Sequence, residues 1–389
     1  MSIEDRVAIR LGGKEIRICE GYEVHMGVLT QPSRFAVRVG HSGTIAELLK
    51  KYPPGTTFEL LVYDGKEYKK QFTGVTDGRR ANGKAATATF RGRDNIAQLF
   101  GDAVADKTYE GKDYLGLIDS VLKDAGVSAK IIDESASDRT TKTGAHGATG
   151  STKVKSEVKK KGKKLIVHPP TIKAGEDRYR FLKQHLDRVG LFLFGGANGE
   201  LVLGAPDRDQ PALYQVVNRR DGDANVPGTV TDWDFDEDTT NRCSKCVVYG
   251  RGGGKGAGRT KAHKSITDDE MSGFGFFYRT LVKIDQRVSS IDEGEFYARQ
   301  AISESRRGGW ALEYVVAGHT TQPKSGGSKR IVWARDTVVH VIDEELGLNE
   351  EMYVESVTLR GDESKTETSL RLMRKEDLRF LDDPAENEP

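Results

Sequence analysis

The chain has 389 residues, 36% hydrophobic and 31% charged, enough for two or three domains with a sizeable core. Sixty basic against 59 acidic residues leave a formal charge of +1, which argues against a protein whose main task is to coat nucleic acid. The longest apolar runs, such as Leu191-Phe192-Leu193-Phe194, fall far short of a membrane span, and Met1-Ser2-Ile3-Glu4-Asp5-Arg6 lacks a basic-then-apolar signal, so folding in a bacterial-type cytoplasm is expected.

The first hundred residues read as short strands. Val7 to Leu11 and Lys14 to Ile18 flank Gly12-Gly13, a hairpin signal, and Arg34 to Val39 is another strand. Ile45, Leu48, Leu49 and Tyr52 recur at helical spacing in Thr44 to Tyr52, before Pro53-Pro54-Gly55. Phe58, Leu60 and Val62 alternate, Asp64-Gly65 turns the chain into Glu67 to Phe72, and Asn82-Gly83 turns it into Ala85 to Arg91. This spacing predicts a small barrel.

Near residue 110 the character changes. Tyr114, Leu117, Ile118, Val121 and Leu122 form a helical face closed by Gly126. Ser135 to Lys164 is rich in Ser, Thr, Gly, Ala and Lys, with seven lysines between Lys153 and Lys164, and is expected to stay mobile. Tyr179, Leu182, Leu186 and Val189 mark a second helix stopped by Gly190, and a hairpin follows around Asn198-Gly199. From Pro227 strands return: Trp233 and Phe235 alternate with Asp232, Asp234 and Asp236, and Cys246 to Tyr249 and Leu281 to Ile284 flank a Gly/Lys loop from Gly252 to Lys264. Asp292 to Leu378 reads as a helix, Glu293 to Arg306, packed on closing antiparallel strands at Trp310 to Val316, Thr337 to Ile342, Tyr353 to Leu359 and Thr368 to Leu372.

No motif carries chemistry. Gly250 to Gly258 follows a strand, but Lys255 is followed by Gly256 rather than Ser or Thr, and no helix is predicted after it, so a phosphate loop is rejected. Asp232, Asp234 and Asp236 match the first spacings of a calcium loop, yet Glu237 replaces the turn glycine and Cys243 the closing glutamate. These acids are instead assigned to the solvent or partner face of a strand, where they could meet a basic neighbour. Cys243-Ser244-Lys245-Cys246 lacks a second ligand pair for zinc, Cys19 being far away, and opens a strand rather than a helix, so structural cysteines are favoured. The lysine run lacks interleaved aromatics for stacking bases, His168 before two prolines reads as a loop residue, and Glu344-Glu345 reads as a turn. No nucleophile, base and oxyanion set is present, so no catalytic residue, cofactor or metal is assigned.

Three ordered stretches resemble the baseplate hub proteins of contractile-tailed, Mu-type phages, a family related to the P2-type late-control tail protein and to the hub part of type VI secretion spikes. The first is Phe72-Thr73-Gly74-Val75-Thr76-Asp77 leading to Phe90-Arg91-Gly92-Arg93-Asp94-Asn95-Ile96-Ala97-Gln98-Leu99. The second runs from Gly175-Glu176-Asp177-Arg178-Tyr179-Arg180-Phe181-Leu182 through Gly190-Leu191-Phe192-Leu193 to Gly199-Glu200-Leu201-Val202-Leu203. The third joins Val247-Val248-Tyr249-Gly250, Ala298 to Arg307 and Ile331-Val332-Trp333-Ala334 to Leu372, with Glu351 to Val357 as the penultimate strand. The Ser/Lys-rich segment departs from the family pattern.

The expected fold class is mainly β with an α+β insertion: a first β-barrel over 1–107, an α/β domain over 108–224 with a flexible insertion at 135–170, a second, similar barrel over 225–378, and an acidic tail over 379–389. The resemblance implies a homotrimeric ring in the virion baseplate that adapts a six-fold tail tube to a three-fold spike. Its implied partners are the spike, the tube, the wedge proteins and contact with a tape-measure protein, without sequence-specific nucleic acid or stable membrane anchoring. The competing readings are the hub of a phage-derived injection particle or secretion spike, a tail-associated peptidoglycan hydrolase and a nucleic-acid binder. The absence of spike repeats before Pro389 favours a separate spike chain.

Overall fold

β-Strands dominate the computed structural model, which describes residues 7–16, 20–29, 32–40, 45–82, 87–110, 112–133, 140–142, 151–153, 169–187, 191–219, 228–251, 260–273, 279–285, 288, 291–326, 329–362 and 364–381. The first part supplies β1 (Val7–Leu11), β2 (Lys14–Ile16), β3 (Gly21–Gly27), β4 (Arg34–Gly40), α1 (Ile45–Lys51), β5 (Thr57–Tyr63), β6 (Tyr68–Asn82) and β7 (Thr87–Asp94). The middle holds β8 (Lys107–Thr108), α2 (Tyr114–Asp124), β9 (Ile131–Asp133), β10 (Thr140–Lys142), β11 (Ser151–Lys153), β12 (Thr171–Ile172), α3 (Arg178–Asp187), β13 (Phe192–Gly195) and β14 (Leu201–Gly204). The last part begins with β15 (Tyr214–Asn218), β16 (Val230–Glu237), β17 (Lys245–Arg251), β18 (Thr260–Thr267), α4 (Asp269–Gly273), β19 (Thr280–Asp285) and α5 (Ile291–Gly308). It ends with β20 (Trp310–Ala317), β21 (Thr320–Thr321), β22 (Ile331–Val332), β23 (Thr337–Asp343), β24 (Leu348–Asp362) and β25 (Thr366–Arg374).

Local chemistry explains the turns. Gly12 and Gly13 adopt φ of 52° and 84°, the paired positive values that a two-residue hairpin demands, and Leu11 pairs with Lys14 across them. Asp113 caps α2 by accepting from the Gly116 N–H at 2.7 Å, and Gly126, at φ 68°, ends the turn after it.

One sheet organises the molecule. Its strands run in the order β16–β20–β25–β24–β3–β4–β7–β6–β5–β1–β2. β23 pairs with β24, and β15 pairs with β23 in parallel. A bridge between Val217 and Thr229 brings the end of β15 back beside the start of β16. β24 joins the two parts of the chain: Leu348 to Val354 pair with β23, whereas Ser356 to Asp362 pair with β3. A bulge between Val354 and Ser356, seen in its ladder with β25, marks the changeover. The inward rows Leu312, Tyr314, Val316, Leu370, Leu372, Val357, Leu359, Val24, Met26, Phe35, Val37 and Phe90 therefore belong to one buried core.

Two smaller units lean on this sheet. α2 and α3 bury Leu117, Ile118, Val121, Phe181, Leu182 and Leu186 against the sheet β13–β14–β9. α5 buries Ala298, Ala301 and Ile302 against Cys246 and Val248 of the sheet β18–β17–β19.

The mainly-β class is as expected, but several elements sit elsewhere. α5 was expected on the closing strands; its apolar stripe faces β17 instead, because Cys246 and Val248 offer the complementary row. Residues 225–378 thus contain a separate three-stranded sheet. β15 falls inside the span expected for the α/β domain, yet it joins the main sheet, with Tyr214 and Val216 wholly buried. β6 runs on through Thr73 to Asn82, beyond the predicted end at Phe72. Gly74 is a fitting element there rather than a breaker, since a Cβ would lie 2.0 Å from the Arg93 carbonyl oxygen. β3 was not predicted at all. Of the Ser/Lys-rich stretch, β10 and β11 pair antiparallel; the rest, including most of Lys153 to Lys164, lies outside the described residues. The same holds for Cys19, His168, Gly190, 252–259 of the Gly/Lys loop and 382–389 of the tail, while Thr260 to Lys264 belong to β18.

A candidate assembly surface

The groups weighed for chemistry do not converge. Among the described residues no cluster of His, Cys, Asp and Glu could hold a metal ion, and no helix is long and apolar enough to cross a membrane. Cys243 and Cys246 are free and buried. Burial, helped by the neighbouring Cys243, pushes the Cys246 thiol up to about 12, so it is not a reactive thiolate. Glu344 pairs with Arg219, and Glu345 accepts from the indole N–H of Trp233 at 3.1 Å.

Asp232, Asp234 and Asp236 are exposed on β16. Cross-strand register sets them on the outward face beside Val315, Glu313 and Ala311 of β20. Trp233 and Phe235 point to the other face, next to Tyr314 and Leu312. Phe235 packs on the core, but Trp233 remains 37% exposed, because beyond the bridge at Thr229 β16 has no ladder partner on its far side among the described residues.

The outward face continues across the sheet, row by row. Asp232 aligns with Val315, then Ser369, Thr358, His25, Arg34 and Arg93. In the next rows stand Arg360, Glu23, Ala36 and Arg91, and then Gly21, Arg38, Thr89 and Arg80. The face is charge-graded. Its β16 end is acidic, its centre mixed, and its β4–β7–β6 end carries exposed Arg34, Arg38, Arg80 and Arg91. Asp77 neutralises Arg93 there through a two-point pair at 2.7 and 2.9 Å. The basic end was missed from sequence, although Arg34 and Arg38 stand out of phase with Phe35, Val37 and Val39; a net charge near zero conceals the separation.

Where the sheet meets the α2–α3 unit, a buried polar junction fixes their relation. Arg335 donates to the Gly27 carbonyl at 2.8 Å, and also to the Ser33 hydroxyl and the Gly195 carbonyl. Asp94 accepts from the Ser33 N–H at 3.0 Å. Burial pushes the Asp94 carboxyl above its usual range, while Arg335 and the Ser33 N–H oppose that rise. Gly195 is required here, since a Cβ would lie 2.6 Å from an Asp94 carboxylate oxygen. Asn95 donates to the Gly199 carbonyl at 2.6 Å, and the Thr73 hydroxyl to the Ala197 carbonyl at 3.0 Å, so three contacts seat one hairpin.

This fold is shared by phage tail proteins and a component of a type VI secretion system. A tail protein from Neisseria meningitidis matches 96% of the chain and 98% of its own, with a TM-score of 0.67 and 19% identity. A 43 kDa tail protein of prophage MuSo2 from Shewanella oneidensis matches 96% and 99%, with a TM-score of 0.68 and 17% identity. A component of the type VI secretion system of E. coli, itself described as similar to T4 tail proteins, matches 94% and 76%, with a TM-score of 0.54 and 9% identity. No family model and no curated protein sequence matches the chain.

Proposed function

We propose that the chain is a structural baseplate hub protein of a contractile phage tail. It forms a homotrimeric ring that adapts the six-fold tail tube to the three-fold central spike. The observation that carries this reading is fold agreement with two phage tail proteins over 96% of the chain. The ring follows from physics: two β units per chain give pseudo-six-fold character when three copies close, and cyclic closure uses up strand edges that would otherwise grow without limit. On this reading the units around 1–107 and 225–378 act as paired barrels, the unit around 108–224 lies outside or below the ring, and the assembled protein belongs to the virion without enzymatic activity. The hub of a phage-derived injection particle is the second reading, supported by the likeness to a secretion-system component.

Solution mass of the purified chain, alone and with candidate tube and spike proteins, tests the proposal. A three-copy species that binds a trimeric spike is expected. A chain that stays monomeric under all these conditions, or that hydrolyses peptidoglycan through a single carboxylate, overturns it.

A further inference from the structure

Two stretches on the outward face of the sheet, in β16 and in the far half of β6, have a ladder partner on one side alone among the described residues. β16 pairs with β20 on one side, and among the described residues its other side carries only the bridge from Thr229 to Val217. β6 pairs with β5 as far as Val75, and two further backbone hydrogen bonds reach Thr76. From Asp77 to Ala81 its outer side has no ladder partner among the described residues, while its inner side pairs with β7. Between these edges every neighbouring pair from β16 to β6 is antiparallel. The run β16–β20–β25–β24–β3–β4–β7–β6 has an even number of strands, so β6 runs opposite to β16. A copy rotated about an axis along the strands therefore offers its β16 antiparallel to the β6 edge of its neighbour. That sense of pairing is the commoner one in sheets.

Charge selects the same junction. Edge strands are ordinarily guarded by charge against indiscriminate pairing. Here the guards differ in sign: Asp232, Asp234 and Asp236 on one edge, and Arg80 with Arg91 and Arg38 behind it on the other. Two β16 edges repel each other, as do two β6 edges. Only the heterologous contact is attractive, and a heterologous contact makes a ring when its rotation closes.

We propose that β16 of one copy pairs with the Asp77–Ala81 edge of β6 in the next copy, so that identical chains close head to tail with their acidic and basic ends in register. The inference rests on the ring reading above and adds the edges and residues that make it. The occupant of both edges is a second copy of this chain.

Mass photometry of the full chain is compared for three variants: Asp232→Lys/Asp234→Lys/Asp236→Lys, Arg38→Glu/Arg80→Glu/Arg91→Glu, and the two sets combined. Each one-sided variant is expected to keep the native melting temperature, because all six residues are exposed, and to weaken self-association by about 100-fold or more. The combined variant is expected to reassemble. Asp234→Cys combined with Arg80→Cys is expected to give disulfides between copies, not within one. If the native chain forms rings, but both one-sided variants do so equally well and no disulfide joins copies, the edge assignment is overturned and the ring reading stands. A folded combined variant that stays dissociated overturns the charge pairing. A native chain that never associates, alone or with tube and spike, overturns both.

Discussion

Replacing Arg335 by Ala should cost the fold about 3–5 kcal/mol, the usual penalty for removing one partner of a buried charge pair. The structure supplies the reasons. Arg335 is the cation facing buried Asp94, and it also serves the Gly27 and Gly195 carbonyls and the Ser33 hydroxyl. Its loss leaves a buried carboxylate facing unsatisfied acceptors. The pH dependence is specific in sign. The folded Asp94 carboxyl already titrates above its unfolded value of about 3.9, and without Arg335 it climbs further. Stability tied to a raised carboxyl is present at low pH and lost as pH rises through the folded value. The deficit of the variant should therefore be largest near neutrality and shrink on acidification. Urea unfolding followed by tryptophan fluorescence reads it, since Trp333 is buried two residues away. A cycle with Asp94→Asn should show a coupling of at least about 1 kcal/mol. A loss below about 1 kcal/mol, an additive cycle, or a deficit that grows on acidification would refute the reasoning.

Three further outcomes are expected. Burial holds His319 down to about 3, between Tyr22 at 2.6 Å and Thr368 at 3.0 Å, so stability should be full above about 6.5 and fall by up to about 1.4 kcal/mol per pH unit below it; His319→Asn should flatten that slope in acid titrations. Arg242, fully buried, donates to Asp268 at 3.0 Å and Glu270 at 2.8 Å, so Arg242→Ala should cost about 3–5 kcal/mol, with the first protection lost around α5 in hydrogen exchange. Cys243→Ser/Cys246→Ser should fold but lose about 1–3 kcal/mol in chemical unfolding, because hydroxyls replace thiols in an apolar core, and elemental analysis should find no zinc.

Legibility from sequence followed local signal. The Gly12-Gly13 hairpin, the faces of α2 and α3 and the alternation of β20 were readable because each carries its own period or turn chemistry. β3 was missed because Gly21-Tyr22-Glu23-Val24-His25-Met26-Gly27 interleaves aromatic, charged and small residues, and its place comes from pairing with β4 and β24. α5 was correctly found but wrongly docked, since an amphipathic stripe does not name its partner. The acids of β16 were assigned to the solvent or partner face of their strand, and they are exposed there. The arginines opposite them were not, because they are brought to one face only by a register spread over strands distant in sequence.

β24 also sets a clock for biosynthesis. β3 emerges from the ribosome early, but the strand that covers its outer side, Ser356 to Asp362, comes more than 300 residues later. At ordinary elongation speeds that interval is roughly 15–65 s. Throughout it the nascent chain carries an open β3 edge beside a half-built core. The charged and polar side chains of Glu23 and His25 on that strand then act as a temporary guard against pairing with other nascent chains. A chain cut short before β24 leaves the β3 edge open and never completes the graded face.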